Sequence, residues 1–172
     1  MLRGCRTVTV IKKTAQTAEE RVLALAQKII NSDTIKLLRE CSAGIQMGIE
    51  SIKEVLPDVK SDELRGILED CKRKHEELWQ DTTDILNDYG DSGKEPPAVA
   101  SGMSWLKTTF RLTVDPSDST VADLMTDGCD MGVKSIRRYL NQYAAAEDKI
   151  KQLAERLIVI EESAADEIKK FL

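Results

Sequence analysis

Apolar residues recur at intervals of three and four along most of the chain, which is the spacing of one face of an α-helix. In the first half, this spacing predicts a helix that ends near Leu56, before Pro57, and a second helix from Ser61 or Asp62 to about Asn87. The connection between them is short, so the two helices should lie antiparallel. The pattern predicts a helical hairpin over residues 33–87.

The second half repeats this arrangement. Asp118 or Ser119 is placed to cap another long helix, and a last helix should begin near Ala145. We therefore predict a second hairpin over residues 119–172. Between the hairpins, residues 88–118 contain three prolines and three glycines. This crossover also holds a segment, residues 98–112 with Trp105, that is spaced like a short helix packing on the bundle.

The N-terminal region is expected to be separate from the hairpins. Residues 1–16 form a tail in which 7–11 alternate like a short β-strand. A short helix is then predicted from about Thr17 to Asn31, and Ser32 or Asp33 would cap the next helix. The expected organisation is a tail and extra helix over residues 1–30 and one domain over residues 31–172.

The two hairpins share a sequence repeat. The segments GIQMGIESIKEVL and GCDMGVKSIRRYL, residues 44–56 and 128–140, are identical at six of thirteen positions. Each segment lies in the first helix of its hairpin, which indicates a duplicated hairpin and fixes the architecture.

Both copies of the repeat contain two glycines four residues apart, a spacing that leaves a flat strip on a helix. A glycine in mid-helix costs about 1 kcal/mol relative to Ala, so some contact should compensate. The favoured interpretation is close helix packing in the bundle, and the alternative is room for a ligand. The glycines concerned are Gly44, Gly48, Gly128 and Gly132.

The order of these features resembles a ferritin-like four-helix-bundle protein from a poorly characterised bacterial branch. The features are a glycine-strip helix, a partner helix with a lone His, a linker with Trp-Leu-Lys, and a second such pair of helices. The resemblance covers about residues 31–172 and is strongest at 100–112 and 128–140. It implies an all-α, ferritin-like bundle with one long crossover, and it carries no established reaction.

Ferritin-like di-iron sites take one Glu from each of two helices and Glu-x-x-His from the other two. This chain has one histidine, His75, and Lys72 stands three residues before it where Glu would be required. Ile45 and Cys129 occupy positions where the resemblance implies carboxylates. We expect no cofactor, and an atypical iron or other divalent metal site is the alternative. Its candidate ligands are His75, Glu40, Glu69, Asp130 and Glu162. His75 itself is interpreted as a surface or boundary residue, because its neighbours in sequence are charged.

Charge, apolar run length and cysteine spacing argue against several classes of protein. The net charge is −5, so a nucleic-acid partner is not expected. We also expect no membrane span, because no apolar run approaches about 20 residues. The four cysteines form no C-x-x-C pair and no secretory signal is visible, so reduced thiols in a cytoplasm are predicted.

These observations leave three hypotheses for function. The first is a non-catalytic bundle that acts through a protein partner or self-association, including a homo-oligomer, in a stress or storage context. The alternative is a di-metal oxidase or iron-handling protein with an atypical ligand set. The third is a redox-responsive bundle that uses its cysteines.

Overall fold

The computed structural model describes residues 4–91 and 117–172, with side chains from residue 19 onward. These ranges contain four α-helices, which we number in chain order, and two short 3-10 turns. The helices are α1 (Gly4–Val55), α2 (Asp62–Asp88), α3 (Asp118–Gln142) and α4 (Asp148–Ile168). The 3-10 turns are Leu56–Asp58 and Lys169–Phe171. The all-α prediction is confirmed for the part of the chain that is described.

The four helices pack together as a bundle in which α1 contacts α2 and α3, and α4 contacts α3 and α2. At one end the Asp118 carboxylate accepts hydrogen bonds from the backbone N–H groups of Lys60 and Ser61, at 2.8 and 3.0 Å, so α2 and α3 begin side by side. At the other end α1 meets the start of α4. Helices α1 and α4 therefore run one way and α2 and α3 run the other.

The bundle core consists of two apolar clusters placed along its axis. One lies where α2 and α3 begin and includes Ile52, Leu64, Leu68, Val121 and Ile168. The other lies where α4 begins and includes Leu37, Leu38, Leu78, Ile150 and Leu157. Leu and Ile dominate the second cluster, whereas the first mixes them with Val, Ala, Cys and Met. Trp79 packs against the second cluster.

The predicted break near Asn31 is wrong, because α1 continues from Gly4 to Val55. Asp33 and Thr34 do not cap a helix of their own. Their side chains accept hydrogen bonds from the backbone N–H groups of Ala145 and Glu147, at 3.3 and 3.0 Å. These N–H groups belong to the connection that leads into α4, so two residues inside α1 bind the backbone just before another helix. The β-like alternation of residues 7–11 was also misleading, because the backbone there is helical.

Other helix boundaries agree closely with the sequence. Ser61 caps α2 by accepting a hydrogen bond from Leu64 N–H, at 3.3 Å, as predicted. Ser117, one residue before the predicted pair, caps α3 through Thr120 N–H, at 3.2 Å. The short crossover helix expected over residues 98–112 lies outside the described residues. Within those residues, no helix combines the length and apolarity that crossing a bilayer requires.

Candidate functional site

A buried polar pair lies in the bundle interior, formed by His75 of α2 and Glu161 of α4. His75 is 1% exposed, and its Nε2 lies 3.1 Å from Glu161 Oε1. The other ring nitrogen, Nδ1, lies 2.9 Å from the backbone oxygen of Cys71, one turn earlier in α2. Both nitrogens of the imidazole therefore have partners, which is what a buried ring requires. We call His75 and Glu161 the central pair.

The contact with Cys71 places one proton on the His75 ring, and the pKa of His75 indicates the second. A carbonyl oxygen only accepts, so Nδ1 carries a hydrogen and donates it to Cys71. Burial would lower the pKa of His75, but its hydrogen bonds with Cys71 and Glu161 outweigh that effect and raise the pKa to about 10. At neutral pH the pair is thus an imidazolium donating from Nε2 to a carboxylate, and its net charge is zero.

Two of the repeat glycines make room for the central pair. A Cβ added at Gly48 of α1 would lie 2.7 Å from His75 Nε2, closer than side chains allow. A Cβ added at Gly132 of α3 would lie 3.3 Å from Glu161 Oε1. Each hairpin therefore sets the second glycine of its strip against the polar side chain of its partner helix. Each of the four helices thus contributes one residue to a single layer of the bundle.

The first glycines of the two strips have looser surroundings. A Cβ at Gly44 would meet side-chain atoms of Ile136 and Leu157, both at an ordinary 3.7 Å. No described atom comes within 4 Å of the Cβ position at Gly128. The sequence analysis gave all four glycines the same role in helix packing, but their surroundings differ. Only Gly48 and Gly132 have close neighbours, and these are the side chains of the central pair.

Two cysteines border the central pair. Cys71 Sγ lies 3.6 Å from His75 Nδ1. Burial, followed by the nearby Glu161 carboxylate, raises the pKa of the Cys129 thiol far above its usual range. Burial also raises the pKa of Cys41, farther along α1, to about 12. Because the thiolate is the nucleophile and metal ligand, Cys41 and Cys129 are chemically quiet at neutral pH.

The structure does not bring the predicted metal ligands together. Of the five candidates only His75 is buried, so its interpretation as a surface or boundary residue is wrong. Glu69, Asp130 and Glu162 are exposed, and Glu40 is half-buried. Glu162 forms an ion pair with Arg137 at 2.7 Å on the bundle surface. In the described part of the chain, no group of three or more His, Cys, Asp or Glu side chains is arranged to hold a metal ion.

Sequence reasoning chose Glu162 and missed its neighbour Glu161. Glu161 is the buried carboxylate of α4, with the side chain 11% exposed. The signal was present, because Glu161 stands on the apolar stripe of α4. It follows Leu157 and Ile158 by four and three residues and precedes Ala164 and Ala165 by the same intervals. A charged residue inside an apolar stripe is a candidate for a buried pair.

A second feature is an exposed apolar surface on α1. This helix has 52 residues and α2 has 27, so α1 is about 78 Å long and α2 about 40 Å at 1.5 Å per residue. In α1, side chains 19–29 are all exposed, and the first fully buried one is Thr34. We call residues 19–33 the α1 extension. Its large exposed side chains are Val22, Leu23, Leu25 and Ile29, each 56–69% exposed.

Similarity to known proteins assigns no function to the central pair or to the α1 extension. Comparisons with protein-family models, with curated proteins and with solved structures all find no match for this chain. The function must therefore be argued from the central pair and from the α1 extension.

Proposed function

We propose that this chain is a non-catalytic association protein, in which the helical bundle carries the α1 extension and the extension binds a partner helix. The observation that carries the proposal is the exposure of four large apolar side chains, Val22, Leu23, Leu25 and Ile29, on adjacent turns of one helix. Val22, Leu25 and Ile29 lie on one face of the helix, and an exposed apolar face is typical of a protein interaction site.

The energetics favour a partner that follows the helix. Burying one Val, Leu or Ile side chain contributes about 1.5–3 kcal/mol. Association costs about 4–15 kcal/mol in lost translational and rotational freedom. One such side chain contributes less than the lower limit of that cost, whereas a row of them over several turns contributes an amount within its range. A helix packed along the extension provides such coverage.

The central pair supports a structural role for the bundle interior. His75 and Glu161 satisfy each other, and their charges cancel. The cavity beside Cys71, lined also by Asp70, Lys74 and Glu167, has a volume of about 10 Å³. Such a volume holds about one water molecule and no organic substrate. This cavity therefore leaves no room for an organic substrate beside Cys71.

The proposal includes the ferritin-like arrangement of the bundle. Its support is the direction of the helices, with α1 and α4 opposed to α2 and α3, and a crossover between residues 91 and 117 that joins opposite ends. Such a connection is typical of ferritin-like topology.

The residues present do not fit the di-metal alternative. A di-iron layer takes Glu from two helices and Glu-x-x-His from the other two. Here the corresponding layer has Gly48, His75, Gly132 and Glu161, so it offers one carboxylate and one imidazole. These two groups already bind each other at 3.1 Å. We therefore assign no metal chemistry to this layer.

Site-specific photo-crosslinking tests the association. A photoreactive residue at position 25 should give adducts in the cells that make this protein, whereas the same residue at Gln27, on another side of the helix, should give far fewer. Both side chains are exposed, so accessibility is matched. If position 25 gives no adduct beyond the level at position 27, the association function is overturned.

A further inference from the structure

The exposed residues of the α1 extension follow a heptad pattern. Val22, Leu25, Ile29 and Ser32 are spaced three, four and three residues apart, which is the spacing of the a and d positions of a coiled coil. The sequence of the same helix extends this spacing toward the N-terminus. The positions it reaches are Ala18, Ala15, Ile11 and Val8. Seven of these eight seam positions are apolar, and all lie within α1.

The other apolar register on this helix is interrupted. It runs through Leu23, Ala26 and Ile30, but its next positions are Glu19 toward the N-terminus and Asp33 toward the C-terminus. A charged residue at each end of this run opposes burial there. Position 25 therefore belongs to the seam, whereas position 23 lies outside it.

The seam residues specify a small assembly. Val22 and Ile29, at the a positions, are β-branched, and Leu25 is at d. β-branched residues at a with Leu at d favour two parallel strands, because each branch fits the hole that the facing helix offers.

The flanking charges favour the same arrangement. In a parallel pair, residue g of one helix faces residue e of the next heptad of its partner, and this sets Lys28 against Asp33. An antiparallel pair instead sets g against g, and the two g residues of the extension are Arg21 and Lys28. Both are cations, so that arrangement is repulsive. The charges are complementary for two copies of this chain in parallel.

The seam also faces away from the bundle. At 3.6 residues per turn, its mean direction lies roughly 150° around the α1 axis from the residues that face the bundle core. Those core residues include Leu38, Cys41, Ile45 and Ile52. Two copies joined along the seam would thus carry their bundles on opposite outer sides, with no clash between them.

From these observations we propose that the partner of the α1 extension is a second copy of this chain, held in a parallel two-stranded coiled coil. The seam consists of Val22, Leu25, Ile29 and Ser32. This inference rests on the proposed association through the extension and names the occupant.

Sedimentation equilibrium of the full chain tests the seam. The wild type should be a dimer, and Leu25→Glu should raise its dissociation constant by at least about 100-fold, because two unpaired carboxylates would be buried in the seam. Leu23→Glu is the matched control, since Leu23 is equally exposed but lies outside the seam, and it should leave the dimer intact. Circular dichroism verifies that both variants fold.

Disulfide trapping tests the direction. In a Cys5→Ser background, Leu25→Cys should link to its own copy, because d residues of a parallel pair come within disulfide reach. Gln27→Cys, at the outer f position, should not link. A monomeric wild type, a larger oligomer, or a link that forms only between Val22→Cys and Leu25→Cys chains would each overturn the proposal.

These outcomes separate the two proposals. A monomeric purified chain that still forms adducts with other proteins from position 25 would remove the homodimer and leave the association function standing. Loss of both dimer and adducts would remove both.

Discussion

His75 Nε2 lies 3.1 Å from Glu161 Oε1, and this contact joins α2 to α4 between two apolar clusters. Removing two charges from water is costly, so a buried ion pair contributes less to net stability than to the choice of one packing arrangement. Because α2 and α4 can slide past each other only by breaking this contact, we infer that the central pair fixes their register.

The first prediction concerns pH. The pKa of His75 is raised from 6.5 to about 10 in the folded chain. A group with a raised folded pKa contributes stability that is fully present below its unfolded pKa and is lost as pH rises through the folded pKa. The free energy of unfolding should therefore fall between pH 6.5 and 10, and this fall should be weaker in Glu161→Gln.

His75 is the only histidine, so a single imidazole NMR signal reports its titration. The signal should stay in the protonated position through pH 8.5 in the wild type. It should titrate at lower pH in Glu161→Gln, because the partner carboxylate is gone. A wild-type midpoint near 6.5 would contradict the ion pair.

The second prediction concerns substitution of both residues of the central pair. Replacing either one alone, by His75→Leu or Glu161→Met, should cost about 3–5 kcal/mol, because it leaves the other group buried without its partner. The double variant should be more stable than either single one, since no charge remains buried. Chemical denaturation of all four proteins gives the coupling energy. If the stability losses of the two single variants simply add up in the double variant, direct coupling between the two residues is contradicted.

The surface pair Arg137–Glu162 provides the matched control. It also joins two helices by an ion pair, at 2.7 Å, but its side chains are about half exposed. Solvent screens such pairs, so Arg137→Ala and Glu162→Ala should each cost less than about 1 kcal/mol.

The third prediction ranks the effect on stability of Gly→Ala at the four repeat glycines. Gly→Ala in mid-helix gains about 0.5–1 kcal/mol when space permits, so Gly128→Ala should stabilise the fold. Gly48→Ala should destabilise it, because the added Cβ would lie 2.7 Å from the His75 ring. Gly44→Ala should resemble Gly128→Ala, and Gly132→Ala should fall between the extremes.

A second substitution shows whether the ring is the cause at Gly48. In a His75→Ala background the clash is gone, so Gly48→Ala should become stabilising. Urea denaturation followed by circular dichroism measures the series. If Gly48→Ala stays destabilising without the ring, a contact other than His75 is responsible.

The sequence predicted the bundle helices well because their apolar stripes are long and their caps are local. Ser61 and Pro57 mark the turn between α1 and α2 through interactions within a few residues. The boundary near Asn31 failed for the opposite reason. Asp33 and Thr34 have the composition of an N-cap, but they bind backbone N–H groups just before α4, more than 110 residues away in sequence. Composition alone does not say which backbone groups a polar side chain binds.

The central pair was equally hard to predict. His75 is surrounded in sequence by Arg73, Lys74 and Glu76, so its neighbours indicated a surface position. Its place on the stripe of Leu68, Cys71 and Leu78 was the signal of burial that the sequence interpretation overlooked. The glycine repeat marked the correct layer, but only the packed helices show that Gly48 and Gly132 accommodate side chains.

The fourth prediction concerns the hydrogen bond that joins α1 to the residue before α4. Thr34 is fully buried, and its hydroxyl accepts from Glu147 N–H at 3.0 Å. Thr34→Val keeps the shape but leaves that N–H without its acceptor, which should cost about 1–2 kcal/mol. Thr34→Ser retains the acceptor and should recover part of the loss. Amide exchange at Glu147 should accelerate in the Val variant, and an unchanged rate would contradict this hydrogen bond.

The fifth prediction concerns the thiols. Burial raises the pKa of Cys41 to about 12 and that of Cys129 further, and Cys71 is buried as well. In a Cys5→Ser background, all three should react with a disulfide reagent at least about 100-fold more slowly than in denaturant, because reaction requires local opening.

Met131→Cys supplies the accessible control for that experiment, since Met131 is 55% exposed on the same helix as Cys129. Its thiol should react at the rate of an unfolded peptide, whereas the three buried thiols should react only after local opening of the fold. Adding sub-denaturing urea should accelerate only the buried ones. If Cys71 or Cys129 instead reacted as fast as the control in the folded chain, the layer around the central pair would be open to small molecules. The hypothesis of a redox-responsive bundle would then replace that of a closed interior.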